Sequence, residues 1–261
     1  MPTDRHESDG TFEWDSTTLV VAEVEGGGAH GLGFSYTDRA AAVLIDEVLA
    51  PSLRGCNVLD IPAAWIAMWR AVRNIGREGL CAAAVSAVDT ALWDLKGRVL
   101  DLPLAVLLGA AHEAVPVYGS GGFTSYSVDV LQAQLSGWVE SGITRVKMKV
   151  GRDAAADPAR VEAARHAIGG DVELFVDANG AWTAARALAM AERFASADVT
   201  WFEEPVSSDD LTGLRRIRER APAGMEIAAG EYGYTMAYFR RMLDAGAVDV
   251  LQADATRCGG I

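Results

Sequence analysis

Six charged residues recur near the carboxyl ends of short β-branched runs: Lys147 and Lys149, then Asp177, Glu203, Glu231 and Asp254. Carboxylates and lysines arriving on successive strands are the parts of a metal-assisted site that abstracts a proton. The acids can share a divalent cation, and a lysine beside them can take a proton once it is neutral.

The runs that must position these residues are VPVYGSG (115–121), TRVKMKV (144–150), VELFVDA (172–178), VTWFEE (199–204), MEIAAGE (225–231) and VDVLQAD (248–254). Each is predicted as a strand, and apolar-periodic helices such as 156–168 and 182–195 separate them. A repeat of roughly 25 to 30 residues is that of βα units, which imply parallel pairing and right-handed crossovers. Six units in succession suggest a (β/α) barrel more than a doubly wound sheet, and barrel chemistry gathers at the carboxyl ends of the strands.

Alternation decides which side chains meet. Lys147 and Lys149 share one face of their strand, while Val146, Met148 and Val150 share the other, which suits the helix-facing side. The lysines therefore point inward. Phe175, Asp177 and Asn179 share a face, and so do Trp201 and Glu203, leaving Glu204 turned away from the cavity. The next two strands are expected to end on Glu231 and Asp254.

Buried acids on adjacent strands, about 5 Å apart, repel one another unless a cation sits between them. Asp177, Glu203 and Glu231 form such a set, and an all-oxygen set with no His or Cys nearby favours Mg²⁺ over zinc.

The first part of the chain has another texture. TTLVVAEVE (17–25) and GLGFSY (31–36) flank Gly26-Gly27-Gly28 and read as a hairpin. Helical periodicity follows in 38–50, 61–72 and 80–98, where Leu80, Ala84, Val88, Leu92 and Leu95 make one apolar stripe. The domain reading is an α+β module over 1–113 and an incomplete barrel over 114–261.

Composition sets outer limits. A chain of 261 residues with 50% hydrophobic and 23% charged residues is globular in character. A formal net charge of −13 and a pI near 4.7 argue against a nucleic-acid partner, but not against a small anionic substrate. No apolar run is long enough to span a membrane and no signal core follows Met1, so the expected location is cytoplasmic. Cys56, Cys81 and Cys258 have no CxxC spacing and are expected to be buried thiols rather than ligands.

The Lys147-Met148-Lys149 pair, FVDANG around Asp177, WFEEP with Glu203, AAGE with Glu231, and the ending from Gln252-Ala253-Asp254 to Cys258-Gly259-Gly260-Ile261 resemble the enolase superfamily in both content and order. The likeness is to its mandelate racemase and muconate-lactonizing group and covers essentially the whole chain. It implies an N-terminal capping domain over a modified TIM-type barrel. It also implies Mg²⁺ held by Asp177, Glu203 and Glu231, and removal of the α-proton of a carboxylate substrate through an enediolate. Lys149 is then the base, its pKa expected to be pushed down by Lys147 and by desolvation, and Lys147 is free to hold the substrate carboxylate.

In that family an aspartate at the place of Asp254 orients a histidine from the next strand. His6, His30, His112 and His166 all precede Asp254, and none matches that partner. With about six of eight strands and a start that looks short, the sequence reads as an incomplete version of such an enzyme. Relatives are commonly homo-oligomers, so a homo-oligomer is expected of the full-length form.

Substrate choice would lie with the polar early loop Asp4–Asp15, with Trp14, and the turn from Arg73-Asn74 to Gly79, which resemble the family's two specificity loops. Arg73 or Arg77 is available for a hydroxyl or distal carboxylate, or equally for a surface salt bridge. Asn179, Tyr118 and Ser120 are further candidate contacts. The run Gly26–Gly31 satisfies GxGxxG, but a strand follows it, which favours the hairpin. Cys258 lacks a downstream base, and Trp65, Trp69 and Trp93 fall on helical faces as packing residues.

Three functions remain open on this reading. The first is a Mg²⁺-dependent sugar-acid dehydratase, the second a racemase, epimerase or cycloisomerase of the same lineage, and the third a catalytically impaired fragment.

Overall fold

The computed structural model describes residues 1–261. The chain begins with two antiparallel hairpins: β1 (Pro2–Ser8) with β2 (Glu13–Ser16), and β3 (Leu19–Gly26) with β4 (Ala29–Tyr36). In the second, Gly27 and Gly28 take φ of 59° and 79°, the doubly left-handed turn that matches strand twist. The GxGxxG run is thus a hairpin. The segment read as a polar early loop is largely the first hairpin, with only its tip irregular; its alternation is hidden because nearly every residue is polar.

Helices α1 (Ala40–Leu44) and α2 (Ala50–Leu53) are joined by a π-helical turn, Ile45–Leu49. After them come α3 (Ile61–Ala71), α4 (Leu80–Leu100) and the short α5 (Leu104–Leu107). Asp60 starts α3 by accepting a hydrogen bond from the Ala63 amide. Ala87 and Ala91 let α4 pack closely against Gly31 and Gly33 of β4, and α4 shares one core with Val20, Leu49, Ile61 and Met68.

Beyond residue 113, β5 (Gly119–Gly121), β6 (Arg145–Lys149), β7 (Glu173–Asp177), β8 (Val199–Glu203), β9 (Glu226–Ala229) and β10 (Val250–Leu251) form one parallel sheet in sequence order. Helices α6 (Val128–Glu140), α7 (Asp157–Ile168), α8 (Ala184–Ala195), α9 (Leu211–Arg218) and α10 (Met236–Asp244) connect them. Four of these begin at a capping side chain, Ser127, Thr183, Asp210 or Thr235.

The second core lies between this sheet and its helices. Val146, Met148, Val150, Leu174, Val176, Phe202, Ile227 and Ala229 face it, which leaves the intervening residues on the concave side. A partial TIM-type barrel, preceded by a separate α+β cap, is the result.

Two predicted strands shorten at the sheet's edges. In 115–121 only Gly119–Gly121 pairs, since Val115 and Val117 are 76% and 65% exposed with nothing to cover them. In 248–254 only Val250–Leu251 pairs. Cys81 is buried as expected, but Cys56 is exposed, because it follows the free turn after α2. No helix is long and apolar enough to cross a membrane.

Candidate active site

Register brings the charged residues together. Lys149 lies beside Asp177 on the next strand, and Asp177 beside Glu203 on the one after. One step lower in the sheet, Ser120, Lys147, Phe175 and Trp201 make a second row. Parallel strands in register point such neighbours to the same face, so the upper row is charged and the lower row sets the rings of Phe175 and Trp201 beside Lys147 and Ser120.

The charges satisfy one another in pairs. Lys149 Nζ donates to Asp177 Oδ2 at 2.5 Å, and Lys147 Nζ donates to Glu203 Oε2 at 2.5 Å while lying 3.5 Å from Asp177 Oδ2. Asp177 and Glu203 are fully buried and Lys147 is 4% exposed, so these interactions act with little solvent screening. The amide of Asn179 donates to Asp177 Oδ1 at 2.8 Å, and its side-chain Nδ2 donates to Glu231 Oε1 at 3.3 Å.

Glu231 stands beyond the end of β9, not on it. Alternation would turn it from Ala228 towards the helices, but Gly230, with φ of 137°, breaks the alternation and lets Glu231 meet Asn179. Glu204 departs from expectation in the same way. Its φ of 39° breaks the alternation, and it is buried at the site beside Glu231, Asp177 and Glu203 instead of facing away. It lines a polar cavity of about 580 Å³ with Asn179 and Tyr232.

This packing of charge sets the protonation states. Burial raises the Glu204 carboxyl to about 9, and Glu231, Asp177 and Glu203 add to the rise. Glu203 is raised to about 7 by burial and by Asp177, against the pull of Lys147. Asp177 is held near 2, because Lys149 and Lys147 outweigh the cost of its burial. Burial alone would lower both lysines, yet both are raised: Asp177 and Glu203 hold the proton on Lys147, and Asp177 holds it on Lys149. The expected depression of Lys149 is therefore reversed in this arrangement. Lys147 does pull it down, but the direct contact with Asp177 wins.

No three His, Cys, Asp or Glu side chains close around one point, since the lysines stand among the carboxylates. The donor set nonetheless suits a hard cation. Glu203 Oε1, Glu204 Oε1 and Asn179 Oδ1 are buried oxygens with no hydrogen-bond partner, and every candidate ligand is oxygen.

The remaining candidates are less central. Asp254 lies past β10 in a turn, where Oδ1 accepts from the Thr256 amide at 2.7 Å and Oδ2 lies 3.5 Å from Arg257 Nε. Tyr118 packs its ring on Phe175 with Lys147 Nζ 5.2 Å from its centroid, below the charged row. Ser120 and Arg73 are exposed, and Arg73 donates to the neighbouring Asn74 side chain. Of the turn after α3, Glu78 lines the polar cavity.

Three contributors escaped the sequence reading. Arg257 donates to the Glu231 carbonyl at 3.4 Å and lies over the Tyr232 ring, tying two loops together. Thr11 at the first hairpin's tip donates to the Asn179 carbonyl at 3.4 Å, and Thr124 donates to the Ser8 and Asp9 carbonyls. None follows from local pattern, because each contact spans distant segments.

Two family models match the chain: the N-terminal domain of mandelate racemase/muconate lactonizing enzyme over residues 8–109, and the enolase C-terminal domain-like family over residues 130–261. The chain belongs to the enolase superfamily, mandelate racemase/muconate lactonizing group.

Within it, a mandelate racemase/muconate lactonizing enzyme-like protein from Rubrobacter xylanophilus is 55% identical, with a TM-score of 0.97 over 99% of this chain and 72% of that one. A 3,6-anhydro-alpha-L-galactonate cycloisomerase of Streptomyces coelicolor is 36% identical over 100% of this chain and 73% of its own length. The L-talarate/galactarate dehydratase of Salmonella typhimurium, in a crystal structure liganded with Mg and L-lyxarohydroxamate, is 31% identical with a TM-score of 0.90, over 100% of this chain and 69% of that one. The residues of this chain thus correspond to about 70% of its relatives' length.

Proposed function

We propose that the protein catalyses Mg²⁺-dependent removal of the α-proton of a sugar acid, followed by loss of the β-hydroxyl, as a dehydratase. The observation that carries this reading is the row Lys149–Asp177–Glu203, an ammonium, and two fully buried carboxylates in register on adjacent strands. The Mg-liganded dehydratase relative supports the cation and the substrate class.

Asp177, Glu203 and Glu231 would hold Mg²⁺, with the partnerless Oε1 of Glu203 available to it. When bound, Mg²⁺ supplies positive charge to the substrate carboxylate and takes up the charge on Asp177 that otherwise keeps Lys149 protonated. Lys149 accepts the α-proton in its neutral form, a state that the charge of neighbouring Lys147 favours, and as the ammonium it returns a proton to the departing β-hydroxyl, which leaves as water. Lys147 stays protonated on Glu203 and presents positive charge beside the developing anion. Asn179 bridges Asp177 and Glu231 and leaves Oδ1 open for a substrate hydroxyl or the cation.

The whole-chain similarity to a cycloisomerase favours a second reading, in which the same proton abstraction leads to an isomer. Incubation with Mg²⁺ and a library of aldonic and aldaric acids with their lactone and anhydro forms, read by mass spectrometry, separates the two. Loss of one water is expected, an isomer of unchanged mass would favour cycloisomerisation, and an unreacted library would overturn both.

A further inference from the structure

Glu203 has two oxygens in different circumstances. Oε2 accepts from Lys147 Nζ at 2.5 Å and from the Trp201 indole Nε1 at 3.3 Å, while Oε1 is buried with no partner. Trp201 sits two residues earlier on the same strand and face. Its indole is fixed by stacking on Phe175, with centroids 5.2 Å apart at 23°, and Phe175 is in turn braced by Tyr118 at 5.6 Å. The lower row therefore carries a donor aimed up at the charged row.

We propose that Trp201 is a positioning residue for the cation site: its indole N–H anchors Glu203 Oε2 and so presents Oε1 alone to the cation. Lys147 cannot do this unaided. Its ammonium is a rotatable point donor shared with Asp177 3.5 Å away, and it fixes no plane for the carboxylate. The indole offers one N–H in one direction from a ring that stacking holds still, so the carboxylate turns its second oxygen away from both donors. Anchoring of this kind orients a ligand before the metal arrives, and its loss typically weakens metal affinity by tenfold or more.

The inference rests on the proposed use of Glu203 as a Mg²⁺ ligand. The test is calorimetric Mg²⁺ titration of wild type, Trp201→Phe and Phe175→Leu. Trp201→Phe keeps an aromatic ring on Phe175 but lacks the donor, and is expected to bind Mg²⁺ about tenfold more weakly with a melting temperature close to wild type. Phe175→Leu keeps the donor but loosens its support, and is expected to melt earlier with a smaller change in affinity. Equal affinity in wild type and Trp201→Phe overturns the inference, as does equal weakening in both variants, which would assign the effect to packing. If Trp201→Phe does not fold, indole N–H NMR of the wild type during the titration decides. A Trp indole resonance is expected to shift with the calorimetric midpoint, and no shift contradicts the anchor. A wild type that binds no Mg²⁺ overturns both this inference and the proposed function. One that binds Mg²⁺ and exchanges α-protons while Trp201→Phe binds equally well overturns the inference alone.

Discussion

Lys149 and Glu204 show how neighbours decide what a buried charge can do. Lys149 is protonated against Asp177, so the base role proposed for it depends on that carboxylate being engaged elsewhere. Lys149→Met should therefore reduce α-proton abstraction by about 10² to 10⁴-fold, measured as initial rate at saturating Mg²⁺, with Mg²⁺ binding retained. An unchanged rate would assign the base to another group. Glu204 is raised to about 9 from an ordinary 4.5, so the folded state holds its proton more tightly than the unfolded chain does. Stability from that proton is full below the unfolded value and is lost as pH rises through the folded one. Urea midpoints of the metal-free protein should fall from pH 5 to 9, and the fall should be shallower in Glu204→Gln; identical slopes would contradict the burial of a carboxyl there. The lysine pair was legible in the sequence because alternation along β6 is regular. The side chains of Glu204 and Glu231 were not, because one left-handed residue in each segment, Glu204 itself and Gly230, breaks that alternation.

At the scale of elements, β6, β7 and β8 could be read almost to the residue, since each is covered by strands on both sides and backed by helices. The sheet's edges could not. β5 and β10 pair on one side only, and their apolar letters outrun their pairing. The β1–β2 hairpin stayed hidden because nearly every residue in it is polar, so no alternation marks its strands. Its tip lies on the strand ends: a Cβ on Gly10 would stand 2.8 Å from the Val150 carbonyl oxygen and 3.0 Å from the Ala181 Cβ. Gly10→Ala should thus cost about 1 to 3 kcal/mol in urea unfolding and make residues 9–12 more sensitive to limited proteolysis. Wild-type stability and cleavage would show that the tip does not seat there.

At the scale of the molecule, a cap built around α4 and a parallel sheet around the α/β core have separate apolar interiors. Polar contacts stitch them where the chemistry lies. Thr124 holds Ser8 and Asp9, Arg152 pairs with Glu13, and the Trp65 indole donates to the Gly259 carbonyl at 2.8 Å. The family was visible in the motif order, whereas these long-range contacts have no signature in any single segment. They place the cap's hairpin against the mouth of the sheet, so that substrate would be enclosed between that hairpin and the row of charges. The most direct test of that row's role is proton NMR of a sugar-acid substrate in deuterated water, with Mg²⁺ removed by chelation and then restored. The α-proton signal should persist without Mg²⁺ and disappear after its return at a rate set by enzyme concentration. Exchange that is indifferent to Mg²⁺, or a signal that persists throughout for every acid tried, would contradict the account.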